Sequence, residues 1–401
     1  MAGEVTISGA KNGALPILAA SLCFSEPCVI RNCPNLTDVD AALEILTWLG
    51  AGCIRSGSTV TVDPRSVCCR EIPGELTAKM RGSLFFLGAL MARFGSCRIH
   101  FPGGCPLGDR PFDYHLKGLH QMGANIRVDD GIHCAGPLKA AQITLPYPSV
   151  GATENLILAA LGAEGETLIR NTAREPEICC LCDFLRSGGC TVTGDGTDTI
   201  RITGGLPQSG TVRLIPDRME AATYHCACAG AGGSITLLGA EADHLEALLD
   251  VLRQSGCRIE AENGTITIAA AKLRSPGEIT TGPYPAFPTD AQAPLMAALL
   301  RAEGTTVIHE TVFDRRMHHV PALRALGGRI QCRDHTALVT GVPTLHGGQV
   351  HCTDLRGGAA LVIAGLAATD ETEITGLQHL LRGYEDIAGK LRALGAEVRL
   401  S

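Results

Sequence analysis

The sequence lacks two features that would mark common classes of protein. None of its apolar runs approaches the roughly 18 residues that a membrane-spanning helix needs, so we expect no membrane partner. It also has no basic excess: 34 Lys and Arg stand against 41 Asp and Glu, for a formal net charge of −7. That balance argues against general nucleic-acid binding. Any anionic ligand must therefore be met by a local cluster of Arg and Lys.

A disulfide framework is also missing, although the chain has 18 cysteines. They fall inside apolar runs such as EICCLCDFL and YHCACAGA, without a framework spacing. We interpret them as reduced and mostly buried, and we expect a cytoplasmic protein. Cys179, Cys182 and Cys190 include a C-x-x-C spacing, but a zinc site would require a fourth ligand and an exposed turn, whereas this segment is an apolar helix face, so we predict no metal site.

Two landmarks recur along the chain with one period, which predicts an internal sixfold repeat. One is a glycine that closes an amphipathic helix and is predicted to form a left-handed cap. These glycines follow each other at intervals of 65 to 73 residues: Gly50, Gly123, Gly188, Gly256, Gly327 and Gly395. The other is an apolar helix, and the six begin at intervals of 66 to 72 residues: Lys11, Arg81, Gly151, Arg218, Asp290 and Arg356.

The two kinds of helix predict an α/β fold with helices inside and sheets outside. The first helix of each repeat is apolar around most of its circumference, which indicates burial on all sides, whereas the second has a polar face. Six repeats exceed one ordinary core, so we expect two lobes of three repeats and a cleft between them. The predicted lobes are 11–216, and 1–10 plus 217–401. A solenoid of six stacked units is the alternative.

Cations stand at the start of four of the six apolar helices. A helix N-terminus already attracts anions through its free N–H groups, so a cation there would mainly serve a bound phosphate or carboxylate. Turns before the amphipathic helices add further charges: TDVD (37–40), GDRPFD (108–113), REPE (174–177), FDRR (313–316) and RGYED (382–386). In REPE, Glu175 and Glu177 are predicted to cap a helix that begins at Pro176.

Segments along nearly the whole chain resemble one enzyme family. They are GEVTISGAKNGALPILAASL, PGGCPLGDRPFDYHLKGL, SVGATEN, REPEI, PDRMEAATY, PAFPTDAQAP, ETVFDRRMHHVP, TDLRGGAALV and RGYEDIAGKLRALGA. The chain resembles the UDP-N-acetylglucosamine 1-carboxyvinyltransferases, which are enolpyruvyl transferases. The resemblance implies an EPSP synthase-like, two-lobed inside-out α/β barrel, with three βαβαββ-type repeats in each lobe.

The resemblance implies transfer of enolpyruvate from phosphoenolpyruvate to the 3-hydroxyl of UDP-N-acetylglucosamine, with release of phosphate. This is the first committed step of peptidoglycan precursor synthesis. The hydroxyl adds to the substituted alkene carbon while the methylene takes a proton, and phosphate then leaves the tetrahedral ketal. An acid, a base and several cations are needed. No cofactor or metal is implied, the partners are two small molecules, and we expect a monomer or weak oligomer.

The matching motifs imply roles for individual residues. Lys11, Asp290 and Cys105 would be catalytic: Asp290 as base or final proton acceptor, and Cys105 as proton donor or in product release and as the target of fosfomycin. The phosphoenolpyruvate site would contain Lys11, Asn12, Arg110, Arg356 and Arg382. The UDP-N-acetylglucosamine site would contain Asn12, Arg81, Arg110, Pro111, Phe112, Asp113, Tyr114, Ser149, Val150, Gly151, Asp290, Val312 and Arg316.

Three features depart from the family pattern. Tyr147 replaces the lysine that usually stands two residues before SVG, so one contact to the diphosphate is expected to be lost or supplied from elsewhere. Asp109 places a negative charge beside the cysteine loop. The chain also starts about ten residues late, which is expected to trim a strand of the second lobe.

Two other functions stay open at this point. The sister enzyme that acts on shikimate 3-phosphate shares the fold and the donor but lacks the cysteine loop, and GGCPLGDRP and FPTD argue against it. A related protein that binds the UDP-sugar, turns over slowly and serves regulation is the other, and only Tyr147 and Asp109 favour it.

Overall fold

The computed structural model describes residues 1–103 and 112–400. Within them the chain forms two compact units. The first unit contains residues 9–103 and 112–215, and the second contains residues 1–8 and 216–400. Four residues singled out above lie outside the described residues: Cys105, Asp109, Arg110 and Pro111.

The elements up to residue 215 alternate helices with short strands. In chain order they are β1 (Ala2–Thr6), α1 (Lys11–Ala20), β2 (Cys28–Arg31), α2 (Thr37–Leu49), β3 (Gly52–Ser56), β4 (Thr59–Asp63), β5 (Glu71–Ile72), α3 (Gly74–Thr77), α4 (Phe85–Phe94), β6 (Ser96–His100), α5 (Asp113–Gln121), β7 (Asn125–Val128), β8 (Gly131–Ala135), β9 (Gln142–Thr144), α6 (Val150–Ala160), β10 (Glu166–Arg170), α7 (Pro176–Ser187), β11 (Val192–Thr193), β12 (Thr199–Thr203) and β13 (Thr211–Arg213).

The same alternation continues to the end of the chain. The later elements are α8 (Arg218–Ala231), β14 (Ser234–Leu238), α9 (Glu246–Gln254), β15 (Arg258–Glu262), β16 (Thr265–Ala269), β17 (Glu278–Thr280), α10 (Thr289–Leu299), β18 (Thr305–His309), α11 (Val320–Ala325), β19 (Arg329–Arg333), β20 (Thr336–Thr340), β21 (Gly348–His351), α12 (Leu355–Leu366), β22 (Thr372–Thr375) and α13 (Ile387–Ala393). No helix among the described residues is long and apolar enough to cross a membrane.

Three apolar helices form the centre of the first unit. α1, α4 and α6 pack on one another, and nine of the ten residues of α1 and nine of the eleven of α6 are buried. Three four-stranded sheets surround them, in the orders β13-β2-β4-β3, β5-β6-β8-β7 and β11-β12-β10-β9. Strands such as β4 alternate buried and partly exposed residues, so one face of the sheet meets the helices.

The second unit repeats this plan around α8, α10 and α12, which also pack on one another. Thirteen of the fourteen residues of α8 are buried. Two sheets have four strands, β1-β14-β16-β15 and β17-β18-β20-β19, and the third consists of β21 and β22. β1 joins its sheet by parallel pairing, from Ala2 opposite Ser234 to Thr6 opposite Leu238.

The βαβαββ repeat is visible in the order of elements within one sheet. β9, α6, β10, α7, β11 and β12 follow each other along the chain, with β9 parallel to β10 and β12 antiparallel to both β10 and β11. The predicted α/β fold, with helices inside and sheets outside, is therefore confirmed. Burial of all faces of the first helix is what the apolar pattern predicted.

One of the six predicted glycine caps is wrong. Gly50, Gly123, Gly256, Gly327 and Gly395 have φ between +78° and +105°, in the left-handed region. Gly188 instead has φ −90°, and the next residue, Gly189, has φ +94°. The S-G-G sequence offers two glycines in succession, and the chain reverses at the second, where a residue with a Cβ would be strained.

The predicted helix start at Pro176 is confirmed, but capping by the Glu175 side chain is wrong. Glu175 occupies the N-cap position of α7, and its side chain makes no capping hydrogen bond. A glutamate side chain is longer than the Ser, Thr, Asp and Asn that reach the first free N–H groups from this position.

Gly88 lies where α4 packs tightly against α6, so its replacement should affect stability. A Cβ on Gly88 would lie 2.1 Å from the backbone oxygen of Asn155, on α6. We expect Gly88→Ala to lower the free energy of unfolding by about 1–3 kcal/mol, because α4 and α6 must separate. Gly74→Ala is the control, since its Cβ would meet His100 at an ordinary 3.7 Å. Urea denaturation checks both, and equal midpoints would contradict this packing.

Candidate active site

Aspartates stand at the start of all three central helices of the second unit. Two of them cap the helix, and the third pairs with arginine side chains. Asp217 accepts hydrogen bonds from the backbone N of Met219 and Glu220, at 2.8 and 2.9 Å. Asp354 caps α12 in the same way, accepting from Arg356 N and Gly357 N. Both therefore satisfy free N–H groups of a helix start. Asp290 lies inside the first turn of α10 and pairs with arginine side chains instead.

Asp290 lies between two buried guanidinium groups. Arg316 Nη2 donates to Asp290 Oδ1 at 2.7 Å, while Arg356 Nε and Nη2 donate to Oδ2 at 3.2 and 3.1 Å. The side chains of Arg316 and Arg356 are 2% and 4% exposed, whereas that of Asp290 is 29% exposed. The two arginines thus hold a carboxylate that can still be reached from solvent.

Each arginine has a further anchor. Arg316 Nε and Nη2 also donate to the backbone oxygen of Thr289, and Arg356 Nη1 donates to the hydroxyl of Tyr384 at 2.9 Å. Burial disfavours the charge of Arg356, but its interactions with Tyr384, Asp290 and Asp217 outweigh that effect, so the pKa of this guanidinium is raised. Arg356 therefore stays positively charged in a buried position.

A buried carboxylate, Glu310, fixes the loops around Asp290. Its Oε1 accepts hydrogen bonds from the Thr289 hydroxyl at 3.0 Å and from Val312 N at 2.9 Å. The Thr281 hydroxyl donates to the same oxygen at 3.0 Å. One side chain therefore connects the FPTD segment, which carries Asp290, to the loop of Val312. Sequence reasoning missed Glu310, although it stands beside the FDRR turn.

Lys11 begins α1 in the first unit and is nearly buried. Its Nζ lies 2.8 Å from Asp38 Oδ2, and the two side chains are 11% and 5% exposed. Asp38 belongs to the TDVD turn and lies in the first turn of α2, but no role was predicted for it. Asn12, the next residue after Lys11, is exposed. A buried lysine needs a counter-charge, and Asp38 supplies one.

The remaining predicted residues of the first unit cluster near the start of α6. Ser149 caps α6 by accepting from Ala152 N, and a Cβ on Gly151 would lie 3.5 Å from Cε1 of His115. Burial, helped by the charge of Arg81, lowers the pKa of His115 to about 3. Arg81 begins a 3-10 turn before α4, and burial lowers its pKa too. His115 is therefore neutral.

The structure brings together some predicted site residues by direct contact. In the second unit these are Asp290, Arg316 and Arg356, and Val312 is tied to the same loops through Glu310. Arg382 is partly buried in the turn that also carries Tyr384. In the first unit, Val150 and Gly151 lie in the first turn of α6, Asp113 begins α5, and Phe112 and Tyr114 flank it. Tyr147 is partly buried two residues before the cap of α6.

One exposed group of side chains has the spacing of a metal site. The ligand atoms of Asp129, Asp130 and His133 lie within 4.8 Å of one another. Arg127 Nε lies 2.8 Å from Asp129, and Arg98 Nη2 lies 2.5 Å from Asp130. These arginines already balance both carboxylates, so the group is described equally well as a surface network of ion pairs.

The chain is similar to enolpyruvyl transferases over its whole length. The family model EPSP synthase (3-phosphoshikimate 1-carboxyvinyltransferase) matches residues 1–391. UDP-N-acetylglucosamine 1-carboxyvinyltransferase 1 of Carboxydothermus hydrogenoformans is 45% identical, covering 99% of this chain and 95% of the relative. The UDP-N-acetylglucosamine 1-carboxyvinyltransferase of a Synechocystis species is also 45% identical, covering 99% and 92%.

Solved structures of enolpyruvyl transferases are also similar to this chain. The enolpyruvyl transferase NikO of Streptomyces tendae superposes with a TM-score of 0.90 at 29% identity, covering 99% of this chain and 95% of NikO. EPSP synthase of Acinetobacter baumannii has a TM-score of 0.73 at 19% identity, covering 98% and 95%, and shows the shared fold. The chain therefore belongs to the EPSP synthase family of enolpyruvyl transferases, and within it to the UDP-N-acetylglucosamine 1-carboxyvinyltransferases.

Proposed function

We propose that this enzyme transfers enolpyruvate from phosphoenolpyruvate to the 3-hydroxyl of UDP-N-acetylglucosamine and releases phosphate. The names of the 45% identical relatives support this acceptor. The observation in the structure that carries the proposal is the Asp290 carboxylate held by Arg316 and Arg356, because the reaction needs a proton acceptor beside anion-binding cations. The product would enter peptidoglycan precursor synthesis, in the cytoplasm.

The donor carries a carboxylate and a phosphate, and each requires cations. In the second unit Arg356 and Arg382 would supply them, and in the first unit Lys11 would, together with Arg110. Arginine suits this role because its planar group binds either anion through two parallel hydrogen bonds. Lys11 is paired with Asp38, which keeps its charge in place at the start of α1 until an anion binds.

Asp290 would receive the proton of the sugar hydroxyl. Its carboxylate is oriented by Arg316 on one oxygen and by Arg356 on the other. A carboxylate held from both sides keeps its direction when substrate arrives, which lowers the cost of reaching the transition state. Arg316 would therefore serve the UDP-sugar site by holding the group that meets the reacting hydroxyl.

Cys105 would protonate the methylene carbon or act in product release. Its sequence context, PGGCPLGDRP, is rich in glycine and proline and contains Arg110, and a neighbouring cation stabilises a thiolate. Most other cysteines differ. Burial raises the pKa of Cys23 and Cys28 to about 12, and that of Cys179, Cys180 and Cys190 to about 11. Such thiols are poor nucleophiles at neutral pH.

The acceptor is tested by measuring phosphate release from phosphoenolpyruvate with either of two acceptors. We expect release with UDP-N-acetylglucosamine and none above background with shikimate 3-phosphate. Release with shikimate 3-phosphate alone would overturn the proposed acceptor. No release with either would instead favour a related protein that binds the UDP-sugar without turnover.

Asp290→Asn tests the proton acceptor. We expect kcat to fall by roughly 10²–10⁴-fold, the usual contribution of a general base, because an amide cannot take the proton. Asp250→Asn is the control, since Asp250 is exposed and pairs with Arg253 on the surface. Steady-state phosphate release is the measurement, with a urea midpoint for each variant. A variant at position 290 with more than a tenth of wild-type kcat would rule out this role.

Labelling by fosfomycin tests the reactive cysteine. We expect intact-protein mass spectrometry to show one adduct on the wild-type chain and none on Cys105→Ala, because the buried thiols titrate too high to react. Cys68 and Cys332 are exposed and serve as internal controls, so Cys68→Ala and Cys332→Ala should still take one adduct. Adducts at several cysteines, or one that persists in Cys105→Ala, would contradict the assignment.

A further inference from the structure

The RGYED turn carries a second residue that the roles assigned so far do not use. Tyr384 follows Arg382 by two positions, and its side chain is only 1% exposed. Its hydroxyl lies 2.9 Å from Arg356 Nη1 and 2.8 Å from the Thr223 hydroxyl on α8. A buried phenol with two polar partners at these distances is a structural connection between α12 and α8.

The direction of each hydrogen bond in this connection can be assigned. The Thr223 hydroxyl lies 2.9 Å from the backbone oxygen of Met219, and a carbonyl oxygen can only accept. The Thr223 hydroxyl therefore donates its one proton to the backbone oxygen of Met219 and must accept a hydrogen bond from Tyr384. The Tyr384 hydroxyl in turn accepts from Arg356, which has only donors. The chain of donors thus runs from Arg356 through Tyr384 and Thr223 to the backbone of α8.

This chain requires a neutral phenol, and the surroundings keep it neutral. Burial raises the pKa of Tyr384, although Arg356 and Thr223 act in the opposite direction. The same side chain also places its ring beneath Arg356, whose guanidinium carbon lies 5.5 Å from the ring centroid. Tyr384 therefore contacts Arg356 in two separable ways, through its ring and through its hydroxyl.

The turn that holds Tyr384 is itself fixed against α12. Gly383 packs so closely that a Cβ there would lie 2.7 Å from Cδ2 of Leu355, the residue before Arg356. Tyr384 N donates to the backbone oxygen of Leu380, and Asp386 caps α13 by accepting from Gly389 N. Backbone contacts before and after Tyr384 in the chain thus fix the position of its hydroxyl.

The hydrogen bonds leave a defined part of Arg356 for a ligand. A guanidinium has five N–H groups. Nε and Nη2 each donate one to Asp290, and Nη1 donates one to Tyr384. Among contacts to residues 1–103 and 112–400, two N–H groups remain, one on each Nη. Two N–H groups of one guanidinium can together donate to the oxygens of a carboxylate or phosphate.

We propose that Tyr384 is a positioning residue, whose hydroxyl fixes the Nη1 side of Arg356 so that its remaining N–H pair meets an anionic group of the donor substrate. This rests on the proposed function, in which Arg356 binds phosphoenolpyruvate. Asp290 holds the Nε and Nη2 edge of the planar guanidinium, and Tyr384 holds the group at Nη1. Without the hydroxyl, the ring alone supports the group but does not orient it.

Tyr384→Phe removes the hydroxyl and keeps the ring. We expect the Kd for phosphoenolpyruvate, measured by calorimetry without acceptor, and the KM for phosphoenolpyruvate to rise roughly tenfold or more, as for loss of a hydrogen bond to a charged group. The KM for the acceptor should change less than twofold. A general loss of structure would raise both KM values together. Thr223→Val removes the acceptor of the Tyr384 proton. It should also raise the Kd and the KM for phosphoenolpyruvate.

Tyr224→Phe is the matched control. Tyr224 is also fully buried on α8, and its hydroxyl makes none of these hydrogen bonds within the described chain. It should leave both KM values within twofold of wild type. A Tyr384→Phe variant that binds phosphoenolpyruvate like the wild type would overturn the proposal. Turnover with a different acceptor would contradict only the proposed function, because the Kd comparison needs no acceptor.

Discussion

Burial of the central helices is the constraint on which the rest of each unit depends. α1, α4 and α6 in the first unit, and α8, α10 and α12 in the second, bury most of their residues. Charged side chains therefore stand mostly at the helix ends, where N–H groups lack partners within the helix. Glu154, in the middle of α6, is an exception, and burial raises its pKa, which favours the neutral acid. Lys11, Arg356 and Asp290 are found at helix ends, so the packing that stabilises the fold also confines most of the charges to a few places.

Charges confined in this way must be paired, because an isolated buried ion is costly. Asp290 forms ion pairs with two arginines, and Asp38 forms one with Lys11. Glu220 pairs with Lys390, whose Nζ lies 2.7 Å from the carboxylate. The pairs differ in exposure. The side chain of Glu220 is 2% exposed and that of Asp290 is 29% exposed, so only the latter combines an oriented carboxylate with access for a substrate. Orientation and access together distinguish a reacting group from a structural ion pair.

Sequence reasoning reached most of the fold and part of the site. The apolar helices, the sixfold period and the cations at helix starts are local patterns with a direct physical meaning. The family motifs added Asp290 and Arg316, which the structure brings into contact with Arg356. Sequence reasoning missed Asp38, Glu310 and Tyr384, whose partners stand 27, 21 and 28 residues away at Lys11, Thr289 and Arg356. It also placed the cap at Gly188 instead of Gly189, because two adjacent glycines give the same local signal.

The amino-acid sequence alone indicates which helices are buried, where each repeat begins and which enzyme family the chain belongs to, because hydrophobic period and motif spacing depend on residues close in the chain. Which charges face each other becomes visible only in the folded chain. Asp217, Asp290 and Asp354 look alike as acids near a helix start, yet two cap backbone N–H groups and one binds two arginines. The reason is that a hydrogen-bond partner is chosen by distance in space, which packing sets and sequence separation does not reveal.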